Sequence, residues 1–173
     1  MPSVTGAAPQ VSRPTFLVPL VGGGFALETS ILLAPLRDRA NFIYLTTMFG
    51  GVPGKGSLPA GEKRDIPQCS TVTRKSSFAD VRALATTFTV TAKLILRRPI
   101  DAVIGIGASH VFPMMLAGRI LRKKTIFIET ITRADRLSNT GWLVYHLRLA
   151  DQFFVQWPEL QRKYPRASLG TIL

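Results

Sequence analysis

Two apolar runs that each break into glycines constrain this chain more than any other feature. Thr15–Val21 (TFLVPLV) ends in Gly22-Gly23-Gly24, and Phe25–Leu36 then takes up helical apolar spacing. Asp101–Ile106 (DAVIGI) opens into Gly105-Ile106-Gly107-Ala108-Ser109, and Val111–Leu121 again has helical spacing. A strand, a glycine turn and a helix start form the repeating unit of a parallel α/β sheet.

The remaining elements fit the same plan. Asn41–Thr47 (NFIYLTT) reads as a second buried strand and Cys69–Thr73 as a brief third. Between Met48 and Gln68 stand five glycines and three prolines, which predicts a long surface loop. Phe78–Arg98 reads as a helix stopped by Pro99, and as a core helix rather than a membrane-lying one. The helix over 111–121 closes at Arg122-Lys123-Lys124, cations that suit a helix C-terminus. Thr125–Ile128 (TIFI) and Gln152–Val155 (QFFV) read as strands and Arg136–Ala150 as helix. Alternating strands and helices predict a single Rossmann-like domain over 15–173 with right-handed crossovers, after a disordered lead-in over 1–14.

At 173 residues the chain has room for one such domain and not for two. It carries 22 Lys+Arg against 10 Asp+Glu, a net charge of +12, and 18 of the cations fall after residue 60. Nucleic acid, an anionic membrane or a phosphorylated substrate each fits that excess. Arg97-Arg98 and Arg122-Lys123-Lys124 read as solvated helix ends, or as lipid-binding groups if they cluster with exposed Leu or Ile. The single cysteine, Cys69, excludes an internal disulfide and a cysteine metal site. No run reaches the ~18–20 apolar residues of a spanning helix.

Ligands of open parallel sheets bind beyond the strand carboxyl ends. Gly22-Gly23-Gly24 allows close backbone approach, and the following helix start offers N–H groups to phosphate; the alternative is a tight turn and nothing more. The spacing is not G-x-G-x-x-G, which argues against a nicotinamide cofactor. Gly105, Gly107, Ala108 and Ser109 repeat the geometry, with Ser109 a candidate N-cap. His110 reads as a surface histidine. Glu129, directly after an apolar strand, is expected as a solvated carboxylate at the mouth of the sheet, acting as base or hydroxyl-orienting group, or as a cap or salt bridge to Arg133.

Several spaced blocks resemble a known family. They are Ile104-Gly105-Ile106-Gly107-Ala108-Ser109 with Pro113, Lys124-Thr125-Ile126-Phe127-Ile128-Glu129, Leu137-Ser138-x-Thr140-Gly141-x-Leu143-x-Tyr145, and Ala150-Asp151-x-Phe153-x-Val155-Gln156-Trp157-Pro158-Glu159-Leu160. Tyr164-Pro165-Arg166-Ala167 and Leu169-Gly170-x-Ile172 follow in order. Together they resemble the acceptor-side, membrane-recruiting subunit of the two-chain UDP-N-acetylglucosamine transferase of lipid-linked oligosaccharide synthesis, and more closely its bacterial exopolysaccharide relatives of the PssD and EpsE kind. The family's S-G-G-H-T-x-E is matched by Gly22–Glu28 with Phe25 in place of histidine and Ala26 in place of threonine.

The resemblance implies the N-terminal half of a GT-B glycosyltransferase as a separate chain, working without cofactor or metal. It implies a small partner chain resembling the C-terminal half, which holds the UDP-sugar, and a polyprenyl-diphosphate-linked acceptor at the cytoplasmic face of an anionic membrane. No nucleic acid is implied. Glu129 would be the catalytic residue. Gly22, Gly23, Gly24, Glu28, Gly105, Gly107, Ala108, Ser109 and Arg133 would line the acceptor cleft. Within a docking tail over 157–173, Trp157, Pro158, Tyr164, Leu169 and Ile172 would meet the partner. The family's long N-terminal membrane helix has no counterpart here, which suits a peripheral protein.

Overall fold

The computed structural model describes residues 13–47, 58–69 and 78–170. Seven parallel strands lie in the order β3-β2-β1-β4-β5-β6-β7: β1 (Thr15–Leu20), β2 (Asn41–Thr46), β3 (Glu62–Asp65), β4 (Ala102–Ile106), β5 (Lys124–Ile128), β6 (Gln152–Val155) and β7 (Ser168–Leu169). The helices are α1 (Gly24–Leu33), continued by a 3-10 turn at Ala34–Leu36, α2 (Phe78–Arg97), α3 (Val111–Ile120), α4 (Asn139–His146) and the short α5 (Pro158–Lys163). The expected α/β class with a parallel sheet is borne out.

Central strands of a parallel sheet are covered on both faces and therefore read as continuous apolar runs. All five residues of β4 are buried, as are the last four of β1. One core packs Leu17, Val103, Phe127 and Phe153 under α2, α3, α4 and Leu160 of α5. The other packs Val18, Leu20, Tyr44 and Ile104 under α1 and includes its Leu33. α1 covers only part of its face. Beside it a cavity of about 310 Å³, lined by Leu36, Ile126, Ile128, Phe154 and Gly170, leaves the β5–β7 side uncovered.

Three expectations about elements change, those for the third strand, the loop and the helix over 136–150. The third strand is Glu62–Asp65, inside the stretch expected to be loop, whereas Cys69 lies outside any strand and 70–73 fall outside the described residues. As an edge strand, β3 pairs only with β2 and leaves Glu62 half-buried and Lys63, Arg64 and Asp65 exposed, so it needs no apolar pattern. The helix expected over 136–150 is only Asn139–His146, because the Ser138 hydroxyl caps it by accepting the Gly141 N–H at 3.0 Å. The segment after Trp157, within the domain expected over 15–173, supplies α5 and β7.

Candidate functional site

The strand order reverses between β1 and β4, the switch point where ligands enter an open α/β sheet. Both glycine turns sit there, one leading from β1 into α1 and the other from β4 into α3. Gly23 adopts φ +75° and Gly107 φ +51°, backbone conformations that side chains disfavour. Gly23 and Gly24 are exposed, and a Cβ on either would meet nothing within 4 Å, so this loop borders open space. Gly22 is half-buried. Gly107 is enclosed: a Cβ there would lie 2.6 Å from Phe25 Cε1 and 3.2 Å from Thr130 Cβ. Phe25, at the family's histidine position, therefore forms the apolar contact between the two turns. Gly105 and Ala108 are buried under α3, and a Cβ on Gly105 would collide with Val111.

Ser109 does not cap α3. His110 holds that position, without a side-chain cap bond, and Ser109 stays half-buried on the loop. The expectation of a surface His110 is also corrected. The ring is 1% exposed, and its Nε2 lies 3.0 Å from the Pro67 carbonyl. Burial lowers its pKa, against an opposing effect of that carbonyl contact.

Glu129 is not solvated. It is fully buried, and its carboxylate is filled by donors: Oε1 accepts the Thr130 N–H at 3.1 Å, and Oε2 accepts the Ser138 N–H at 2.9 Å and hydroxyl at 3.1 Å. A Cβ on Gly141 would collide with that same Oε2, so helix α4 can start against the carboxylate only with glycine there. Burial raises the Glu129 pKa; the bonds from Ser138 and Thr130 and the charge of half-buried Arg133 oppose it. No ion pair joins Glu129 to Arg133. Through its backbone Glu129 also bonds Phe154 and Gln156, at 2.9 and 3.1 Å.

Glu28, near the start of α1, is the second buried carboxylate at the switch point, 6% exposed. Its Oε1 accepts the Thr130 hydroxyl at 2.6 Å, while Oε2 has no hydrogen-bond partner among the described residues. Burial raises its pKa, with Thr130 and the Ile131 backbone acting the other way. Ser138, Gly141 and Gln156 stand in the blocks that carry the resemblance and Phe25 at the family's histidine position, but none of them has an assigned role in the sequence reading, and Thr130 is not named in it. Only the Ser138 cap has a local sequence signal, a serine just before a helical pattern.

The tail residues hold this loop. Trp157 Nε1 donates to the Ile131 carbonyl at 2.7 Å, and Lys163 Nζ to the Asp135 carbonyl at 2.6 Å. Pro158 opens α5, and Tyr164 packs edge-on against Tyr145 with ring centres 5.1 Å apart. Leu169 is exposed, and Ile172 lies outside the described residues. Among the described residues no group of three or more His, Cys, Asp or Glu could hold a metal ion, and no helix is long and apolar enough to cross a membrane.

The fold resembles crystal structures of two kinds. Acinetobacter baumannii MurG aligns with TM-score 0.59 and 18% identity over 92% of this chain and 44% of its own. A UDP-N-acetylglucosamine 2-epimerase aligns with TM-score 0.61 and 9% identity over 89% and 45%. The chain therefore has the GT-B-like fold of a little under half of each.

Among sequence relatives, the UDP-N-acetylglucosamine transferase subunit ALG14 of Yarrowia lipolytica is 27% identical over 95% of this chain and 83% of its own length. The human subunit of that name is 42% identical over 34% of this chain, and the mouse one 37% over 46%. The chain spans only 28% and 39% of those two relatives. These relatives are eukaryotic and do not carry the expected closeness to bacterial exopolysaccharide proteins. Residues 62–173, which include β4 to β7 and the Glu129 loop, match the family described as oligosaccharide biosynthesis protein Alg14 like, and the chain belongs to that family.

Proposed function

We propose that this chain is the acceptor-side subunit of a two-chain glycosyltransferase that moves a sugar from a UDP-sugar to a polyprenyl-diphosphate-linked acceptor at the cytoplasmic face of a membrane. The observation that carries the reading is the meeting of two glycine turns and two helix N-termini at the switch point of the sheet. Backbone N–H groups at helix starts, with the positive end of each helix dipole, suit a diphosphate. Gly23 and Gly24 border open space and would admit it, with Gly22 beside them; on the opposite side half-buried Ser109 would face it, with Gly105, Gly107 and Ala108 buried behind and Arg133 at the rim.

In this reading Glu129 is a positioning residue. Its oxygens already accept three hydrogen bonds, and it sets the start of α4 and the course of the 129–138 loop. Glu28 is the carboxylate with an oxygen still unpartnered, and it is the candidate to orient or deprotonate an acceptor hydroxyl. The sheet face left bare beside α1 is where a small partner chain carrying the nucleotide-sugar site would dock, with exposed Trp157 and Leu169 as further contacts.

A second reading keeps the partner and the membrane but gives this chain no reacting group. The burial of both carboxylates favours it. The experiment is co-expression with a small chain resembling a C-terminal GT-B half, assayed with UDP-N-acetylglucosamine and a lipid-linked acceptor. Transfer is expected only from the pair, and full transfer by this chain alone would overturn the half-enzyme reading. Unchanged turnover by Glu28→Gln in the pair would leave the scaffold reading standing.

A further inference from the structure

At the end of the sheet where the strands begin, opposite the glycine turns, a cavity of about 430 Å³ opens between α3, α4 and β6. Arg119, Arg148 and Arg166 bound it, and its floor is made by buried Val144, Tyr145 and Phe153. None of these arginines takes part in the site described above.

The three guanidinium groups are held differently. Arg119 is paired, its Nη1 donating to Asp151 Oδ1 at 2.6 Å. The other oxygen of that carboxylate accepts the Thr125 N–H at 2.9 Å and hydroxyl at 3.1 Å, so Asp151 is fully engaged. Arg166 lies over Tyr145, with Cζ 4.2 Å from the ring centre. Its Nη2 donates to the Tyr145 carbonyl at 2.9 Å and its backbone N–H to the Tyr145 hydroxyl at 3.2 Å. The Arg148 side chain has no hydrogen bond or ion pair among the described residues. Three guanidinium groups thus share one carboxylate.

Arg148 also sits in an unfavourable backbone conformation, φ 52°, shared among the described non-glycine residues only by Arg122 at φ 55°. Both follow a helix in the same bonded pattern: Leu149 N–H to Val144 and Arg148 N–H to Tyr145, then Lys123 N–H to Gly118 and Arg122 N–H to Arg119. Glycine is the favoured residue at such a position, so arginine there weakens the fold. Arg122 is not part of the cavity wall, whereas Arg148 combines that strain with an unpaired guanidinium at its edge. Strain held beside an unpaired charge in a cavity points to a use for the charge.

We propose that this cavity binds a small soluble phosphate ester, of the size of a sugar phosphate or a mononucleotide. The excess of two guanidinium groups over Asp151 matches a phosphate dianion, and guanidinium groups present paired N–H donors to its oxygens. Arg119 and Arg166 are already oriented by Asp151 and Tyr145, which leaves Arg148 to close on the ligand. The charges ring a hollow with an apolar floor, which has room for a sugar or a base beside the phosphate. Helix α4 ends at this cavity and starts against Glu129, so a bound phosphate braces the helix on which the Glu129 loop rests. The inference goes beyond the sugar transfer proposed above and needs neither the partner chain nor an acceptor.

The test is thermal unfolding of the full chain with inorganic phosphate, glucose 1-phosphate or uridine monophosphate, each against sodium chloride at equal ionic strength, followed by calorimetric titration. Each phosphate is expected to raise Tm above its chloride control. Arg148→Gly is expected to raise the Tm of the unliganded chain and to weaken binding of the esters about tenfold, a combination that misfolding cannot mimic. Arg122→Gly removes an arginine from the same kind of turn outside the cavity, and is expected to raise Tm and leave binding unchanged. No shift with any phosphate would overturn the proposal. So would equal weakening by the two variants, the mark of diffuse attraction to a net charge of +12. A shift that Arg148→Gly leaves intact would put the phosphate at the glycine turns instead, and binding to phosphatidic acid vesicles without binding to the soluble esters would make the ligand a lipid headgroup; either result overturns it.

Discussion

The hydroxyl of Thr130 donates to Glu28 Oε1 at 2.6 Å, tying the residue after Glu129 to helix α1 across 102 positions of sequence. Thr130 also touches the space a side chain at Gly107 would need, so it is the point where both glycine turns and the Glu129 loop are fixed together. Thr130→Val keeps the shape and removes the donor, leaving both oxygens of a buried carboxylate without a side-chain partner. Expected is a loss of about 1–3 kcal/mol in urea denaturation, with Thr130→Ser restoring most of it. A wild-type stability for the valine variant would show that Glu28 does not depend on this bond.

Gly141 and Glu129 cannot be separated either. Any side chain at 141 would occupy the position of Glu129 Oε2. Gly141→Ala usually favours a helix, and α4 includes this residue. Here the clash reverses the sign: the variant is expected to be less stable by about 1–3 kcal/mol. The pair Gly141→Ala/Glu129→Gly, which clears the space, should show coupling between the two sites in a double-mutant cycle. Additive losses would mean that the carboxylate moves aside freely.

The two carboxylates should separate in the kinetics of the assembled pair. Glu129→Gln places an amide where donors converge and is expected to cost stability and to weaken acceptor binding, seen as a higher KM. Glu28→Gln keeps the size and the bond from Thr130, and is expected to lower kcat at least tenfold with little change in melting temperature. Equal effects of both variants on kcat alone would undo the division of roles.

Much of this arrangement was legible in the sequence, for a physical reason. β1, β2, β4, β5 and β6 pack under helices on at least one face, so each carries an apolar run, and the turns need glycine because Gly23 and Gly107 have positive φ. β3 and β7 are edge strands that pair on one side and need no such run, so Glu62–Asp65 and Ser168–Leu169 gave no signal. Glu129 looked solvated because its position after β5 is at the sheet's end. Its burial comes from Ser138, nine residues on, and from α4 starting at a glycine, neither of which periodicity reveals.

Acid and alkali should act on different buried groups. Glu28 and Glu129 both have pKa values raised above the ordinary 4.5 by burial, so the folded chain holds protons that the unfolded chain has released. The stability linked to them is complete below 4.5 and is lost as pH rises through the raised values. His110 has its pKa lowered from 6.5, so its contribution is complete above that value and is lost as pH falls through the lowered one. Relative to wild type, Glu129→Gln should therefore gain stability as pH rises above 4.5, measured by urea denaturation at a series of pH values. Parallel profiles for the two proteins would remove Glu129 from the titration.

The contact between Phe25 and Gly107 makes the sharpest demand on the site. Gly107 combines φ +51° with a neighbouring ring at 2.6 Å from any added Cβ. Gly107→Ala is thus strained in its backbone by about 1 kcal/mol and must also push Phe25 or Thr130 away. The added displacement brings the expected loss to about 2–4 kcal/mol. Phe25→Ala in the same chain removes the ring but leaves the backbone term, so it should recover part of that loss and no more. Thermal unfolding of the two single variants and the double variant measures this. Full recovery would assign the glycine to packing alone, whereas no recovery would mean that Phe25 swings clear and the two turns are not joined through it.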